Sequence, residues 1–257
     1  MIIINLNNNF MASPLEQFEL VTLIPLNIFD YNVSITNATL FLFINLFTLL
    51  SITFFSIKSN FLVPTRWQLI IEIIYEFVMV IILDNLGKKG ERYFPLIFTI
   101  FIILLVCNII GLIPYSFTVT SHIFFTFGLA FAVFVGINII GIKEHGFHFF
   151  AIFLPKGAPL AILPLLVVIE FISYIVKVFT LAIRLFANMT SGHTLLKIIA
   201  GFSWTLLTLG GFLSLLHLFP LLILFVLIGL ELGIAFLQAY VFALLVCIYL
   251  NDVIEFH

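Results

Sequence analysis

Long apolar blocks alternate with short polar stretches along this chain. Blocks near Thr39 to Ile57, Leu96 to Ile113, His122 to Ile142, Leu165 to Ile199 and Phe202 to Leu250 read as membrane-crossing helices, since a crossing needs about 20 mainly apolar residues. Between Pro64 and Asp84 the pattern changes. Trp67, Ile70, Ile71, Ile74, Tyr75, Phe77 and Val78 recur at helical spacing, with Arg66, Gln68, Glu72 and Glu76 largely on the other side. That predicts an amphipathic helix on the inner membrane surface; the competing reading, an ordinary crossing, would bury Glu72 and Glu76. The last two blocks would extend about 50 Å and about 70 Å as continuous helices, against a hydrocarbon core of about 30 Å. Either both are strongly tilted, or the final block breaks near Gly210-Gly211 or Pro220 into two crossings. The expected fold is an all-α integral membrane protein of about five transmembrane helices plus one interfacial amphipathic helix, the last two helices long and strongly tilted.

Composition agrees: 63% of the 257 residues are hydrophobic and only 9% are charged. A net charge of −2 lacks the basic footprint of a nucleic-acid partner. Cys107 and Cys247 sit inside apolar blocks without metal-binding or disulfide spacing, and read as small buried hydrophobes. The heavy use of Phe (33 residues), Ile, Leu and Asn is what AT-rich codons give, which points to an organellar genome.

Charge distribution sets an orientation. All ten Lys and Arg occur at or after Lys58. The loop after the first crossing holds Lys58, Arg66, Lys88, Lys89 and Arg92; the Ile113 to Ser121 connection holds none; the next loop holds Lys143 and Lys156. By the positive-inside rule the N-terminus, with Glu16, Glu19 and Asp30, is outside and the basic loops are inside. A single final helix leaves the C-terminal tail inside; two crossings would leave it outside.

A few polar residues interrupt the apolar blocks, and Arg184 is the foremost. A guanidinium keeps its proton even when desolvated, so at bilayer depth it needs an anionic or polar partner. Glu170 and Lys177 precede it at steps of seven on roughly the same face, yet Lys177 shares its sign and Glu170 is about 20 Å away. The missing anion is therefore expected on another subunit. Asn188 and Ser191 share the Arg184 side, while His193 and Lys197 fall about 180° and 220° around. On the final block Glu231, Gln238 and Tyr249 superimpose within about 20° and form a polar seam, flanked by the small residues Gly229, Gly233, Ala235, Ala239 and Ala243. A carboxyl such as Glu231 at that depth must be protonated, paired or hydrated, and a histidine facing it in a hydrated cavity suits a proton relay. The plainer alternatives are packing glue for Gln238, simple hydrogen bonding for His193 and a headgroup anchor for Lys177, whose stem snorkels. Glu170, Ser173 and Lys177 could line a second polar path. No phosphate-cradling loop, metal cluster or Ser/His/Asp arrangement is visible, so no cofactor or metal is expected. A secondary transporter, which should show internal repeats, and a structural subunit of another respiratory membrane complex are the alternative classes.

Several stretches carry a resemblance: Ser13-Pro-Leu-Glu-Gln-Phe-Glu19, the run from Asn108 to His122, Ile183-Arg-Leu-Phe-Ala-Asn-Met-Thr-Ser-Gly-His193, Gly229-Leu-Glu-Leu-Gly233, Gln238-Ala-Tyr240 and Cys247-Ile-Tyr-Leu-Asn-Asp252. Together they resemble the subunit a family of F-type ATP synthases, in its mitochondrial form. The resemblance implies a non-catalytic proton-channel subunit of the inner mitochondrial membrane, with its N-terminus in the intermembrane space and its C-terminus in the matrix. Its implied partners are protons, the lipid bilayer, a ring of c subunits, the peripheral-stalk subunit b and other small membrane subunits. By motif, Arg184 corresponds to the essential arginine facing the ring and Asn188 to its neighbour. His193 and Glu231 correspond to the outer channel pair, Gln238 and Tyr249 to the polar line on the last helix, and Glu170 with Ser173 to the inner exit. It further implies an outer N-terminal segment, 1–38, whose first twelve residues correspond to a leader removed in some relatives, and one membrane domain, 39–257.

Overall fold

The computed structural model describes residues 16–25, 27–28, 31–32, 34–57, 64–113, 116–146, 149, 163–210 and 215–254. Residues 1–12, Lys58 and Lys156, which entered the sequence reading, lie outside the described residues. Six α-helices carry the fold: α1 (Asn37–Ile57), α2 (Arg66–Leu86), α3 (Phe94–Gly111), α4 (Ile123–His145), α5 (Leu163–Thr208) and α6 (Leu218–Ile254). Two short antiparallel strand pairs, Thr22–Ile24 with Ile35–Thr36 and Asn27–Ile28 with Tyr31–Asn32, precede α1. Five stretches are long and apolar enough to cross a membrane, with α2 and α3 joined into one of them through the 3-10 turn Gly87–Tyr93. This is an all-α membrane protein, and its outer faces are apolar: Phe47 is 72% and Phe225 77% exposed, as surfaces covered by lipid tails require.

The α2 pattern resolves into two halves. Val78, Ile81, Ile82 and Leu86 near its C-terminal end are buried, with α6, α1 and α3 as neighbours. Trp67, Ile70 and Tyr75 remain exposed, as do Glu72 and Glu76; Glu72 Oε1 accepts a hydrogen bond from Gln68 Nε2 at 2.9 Å. Only part of the apolar stripe is thus used inside this chain.

The boundary between the last two helices differs from the expected one. The apolar pattern divides them around Ala200 and Gly201, but α5 runs on to Thr208, and the chain breaks at Gly210, whose φ is 69°. A glycine inside a helix costs only about 1 kcal/mol, so Gly201 need not interrupt it, whereas the left-handed conformation at Gly210 ends it. α6 then begins at Leu218, with Pro220 in its first turn, where a missing N–H is harmless. Each of the last two elements is one helix.

Close packing follows the small residues of α6. Ala235, Ala239 and Ala243 are fully buried, and α3 approaches closely enough for Asn108 Nδ2 to donate to the Ala235 carbonyl at 3.2 Å. Such interhelical bonds matter in a membrane, where lipid removes the hydrophobic drive between helices; each is worth about 0.6–2 kcal/mol. Gly229 and Gly233 do not belong to this contact, a correction to the expected small-residue series: both face open space. Two residues advance a helix by about 200°, so Gly233 and Ala235 point to nearly opposite sides.

The bundle has two distinct ends. At one, His145 Nε2 donates to the Ile254 carbonyl at 3.2 Å, and Arg92 Nη1 lies 3.5 Å from Glu144 Oε1, which gathers the C-terminal ends of α4 and α6 beside the α2 to α3 turn. At the other, Phe117 in the α3 to α4 connection meets Phe41 of α1, with ring centroids 6.2 Å apart.

Candidate functional site

Antiparallel α5 and α6 meet in three polar tiers. In the first, His193 Nε2 stands 3.9 Å from Glu231 Oε1, and Thr118 Oγ1, from the α3 to α4 connection, stands 3.1 Å from the same nitrogen. Glu231 is only 5% exposed, and its Oε1 has no hydrogen-bond partner among the described residues. A cavity of about 190 Å³, lined by Asn188, Ser191, Gly192, Leu195, Leu227 and Glu231 among others, opens beside it. This has room for water, and the unsatisfied carboxylate oxygen supplies a polar anchor. Gly192 makes the approach possible, since a methyl there would sit 2.6 Å from Glu231 Oε1. Phe18, in the 3-10 turn Glu16–Phe18, sets its edge toward the His193 ring at 6.5 Å between centroids. That N-terminal stretch is pinned to the start of α1, where Asn37 Nδ2 donates to the Glu19 carbonyl at 3.0 Å and Asn37 Oδ1 accepts from Val21 N at 3.3 Å.

In the second tier Asn188 Nδ2 donates to Gln238 Oε1 at 2.9 Å. Gln238 is 2% exposed, so this bond satisfies a polar group that would otherwise be stranded. In the third, Lys177 Nζ lies 3.3 Å from Asp252 Oδ2 and 4.9 Å from the centre of the Tyr249 ring, while Tyr174 OH donates to Asn138 Oδ1 at 2.7 Å.

Arg184 lies between the second and third tiers. At 1.5 Å per residue it is about 13.5 Å along α5 from His193 and about 10.5 Å from Lys177. It is half-buried, on the border between the side facing α6 and an open side where Thr180, Ile183 and Ala187 are exposed. Among the described residues it makes no ion pair and no side-chain hydrogen bond.

The structure therefore brings together His193 with Glu231, and Asn188 with Gln238. Tyr249 belongs to the opposite end of the seam, with Lys177. Glu170 is half-buried, Ser173 is exposed, and neither forms a side-chain hydrogen bond among the described residues. Thr118, Asn138, Tyr174 and Asp252 were not singled out as site residues in the sequence. Thr118 and Asp252 fall in resemblance stretches, but their partners are 75 residues away, and no local spacing announces such contacts.

All the residues that build these tiers except Asp252 fall within the run, residues 14–251, matched by a family model described as ATP synthase A chain. The chain belongs to that family. It is 65% identical over 247 residues to ATP synthase subunit a of Chondrus crispus, covering 96% of this chain and 98% of the relative. Identity to ATP synthase subunit a of Marchantia polymorpha is 50% over 250 residues, covering 96% and 99%, and to that of Pelagibacter ubique 46% over 247 residues, covering 96% and 99%. The family is that of the proton-translocating subunit of the ATP synthase membrane sector, and nothing in these likenesses favours a secondary transporter or a structural subunit of another complex.

Proposed function

We propose that this subunit offers two half-channels to a rotating ring of c subunits and separates them with Arg184. Protons enter from the outer side past Glu231 and His193 and reach a carboxylate on a passing ring subunit. The ring carries that carboxylate, neutralised, around to the inner path, where Glu170, Ser173 and Tyr249 border the exit. Asn188 and Gln238 hold α5 and α6 together beside the arginine. Arg184 attracts the deprotonated ring carboxylate and, as a fixed cation, keeps a proton from passing directly between the paths. The chain itself forms and breaks no covalent bond; it shapes a route along which each proton crossing 100 mV releases about 2.3 kcal/mol. The reading includes the mitochondrial inner membrane as its setting, with the N-terminus in the intermembrane space and the C-terminus in the matrix, and the peripheral-stalk subunit b and other small membrane subunits as neighbours.

The observation that carries this reading is Arg184, without an ion pair or side-chain hydrogen bond among the described residues, beside an open side of α5. A guanidinium at bilayer depth costs at least about 2.5 kcal/mol, so a partner outside the chain is required. The test is Arg184→Gln in the assembled complex. Proton-driven ATP synthesis is expected to vanish while the complex still assembles, and a normal synthesis rate in those membranes would refute the assignment.

A further inference from the structure

Thr118 touches the histidine of the outer tier from the connection between α3 and α4. The residue is 4% exposed and held on a braced connection: Ser121 donates to the Thr118 carbonyl from its side chain at 2.6 Å and from its backbone N–H at 3.2 Å, and Ser116 Oγ bonds the Ile110 and Gly111 carbonyls at 2.8 and 3.0 Å. The connection passes so close to the end of α3 that a methyl on Gly111 would sit 2.7 Å from Thr118 Cγ2. Its hydroxyl thereby has a defined position, 3.1 Å from His193 Nε2 and 3.4 Å from the Gly111 carbonyl.

We propose that Thr118 is a positioning residue for proton entry, one that holds the His193 imidazole at Nε2 in both of its neutral tautomers. This rests on the outer path assigned above to His193 and Glu231. A hydroxyl is both donor and acceptor and can rotate between the roles. When Nε2 carries a proton, Thr118 Oγ1 accepts a hydrogen bond from the Nε2–H and turns its own hydrogen to the Gly111 carbonyl. When Nε2 is bare, the hydroxyl donates to it. A relay histidine passes through both forms as it takes a proton at one nitrogen and yields one at the other, so a partner that offered only one role would leave it unsatisfied for half of each passage. Glu231 cannot do this alone. Its Oε1 is 3.9 Å from the same nitrogen, beyond direct hydrogen-bond reach, and an ionised carboxylate only accepts. Phe18, from the N-terminal turn, offers His193 an apolar ring, 6.5 Å between centroids and steeply inclined to it. Thr118 thus keeps the ring aimed at Glu231 without locking it onto the carboxylate.

The test is passive proton flux through the membrane sector of the assembled complex, for Thr118→Val, Thr118→Ser, His193→Ala and the Thr118→Val, His193→Ala double variant. Valine keeps the shape and removes the hydroxyl. It is expected to slow flux about tenfold, the scale of one lost hydrogen bond to a buried group, and serine is expected to restore the rate to within about twofold. In the His193→Ala background, valine is expected to add nothing, because the group it positions is gone. Should valine prevent assembly, Thr118→Ala carries the same two expectations. An unchanged rate in Thr118→Val, or an equal loss in both backgrounds, overturns the proposal, the latter because a purely structural role would act regardless of His193. If His193→Ala itself leaves flux unchanged, the outer path fails; if it slows flux and Thr118→Val does not, only the role of Thr118 fails.

Discussion

Glu231 turns its unpartnered oxygen toward His193 and stops 3.9 Å short of it. On the proposed function, the pair exchanges protons at that separation by a small ring movement or through a water in the adjoining cavity, and the two act as one unit. Groups that act as a unit lose their effect once. Passive proton flux is therefore expected to fall for His193→Ala and for Glu231→Gln, with the double variant little slower than the worse single one; losses that simply add as free energies would mean two independent residues. The residue types here were legible in the sequence, since each is too expensive in an apolar helix to be incidental. Their pairing was legible through the family resemblance and not through local spacing, because α5 and α6 place it through a hairpin whose register no local pattern encodes. Thr118 escaped altogether: a threonine is cheap to bury, so nothing in its composition sets it apart from Thr120 or Thr126, which are also buried.

Helices brought to close contact depend on what they lack at the crossing. Gly192 is the point where α5 yields to the Glu231 side chain, with a methyl there 2.6 Å from Oε1 and 3.1 Å from Cδ. Alanine is a better helix former than glycine by about 1 kcal/mol, so Gly192→Ala is not expected to harm assembly. The flexible carboxyl must instead swing away from His193, and flux is expected to fall about tenfold, measured beside Gly201→Ala, where nothing lies within 4 Å and no change is expected. Equal rates in the two variants would show that the carboxyl position is not critical. At this scale the seam on α6 was readable, because a period of 3.6 superimposes Glu231, Gln238 and Tyr249 whatever surrounds them. The α5 terminus was not, since apolar residues fill both sides of Gly201 and only the backbone conformation distinguishes it from Gly210.

Across the whole molecule, the ends of α4 and α6 meet through His145 and the Ile254 carbonyl, and Arg92 reaches Glu144 at the same end. Lys143 and the basic turn Gly87–Tyr93 thus share an end with the C-terminal end of α6. Basic residues favour the inner side, so a protease cleavage site appended after His257 is expected to resist protease added to the intermembrane side of intact inner membranes and to be cut once they are opened. Cleavage in intact membranes would invert the proposed orientation. The alternation of basic and uncharged loops predicts the same orientation from the sequence, where Gly210-Gly211 and Pro220 are the candidate breaks; that α5 runs through Gly201 to Thr208 needed three dimensions.

The 46 residues of α5 have a further consequence. A rod of about 69 Å is more than twice as long as the roughly 30 Å of hydrocarbon and so leans strongly from the membrane normal. On such an incline, the roughly 24 Å of helix between His193 and Lys177 corresponds to a smaller difference in depth. The two polar clusters are displaced across the plane of the membrane as well as through it. On the proposed function, a proton delivered at one does not drop directly to the other; it is ferried sideways past Arg184, and sideways travel is what a turning wheel provides.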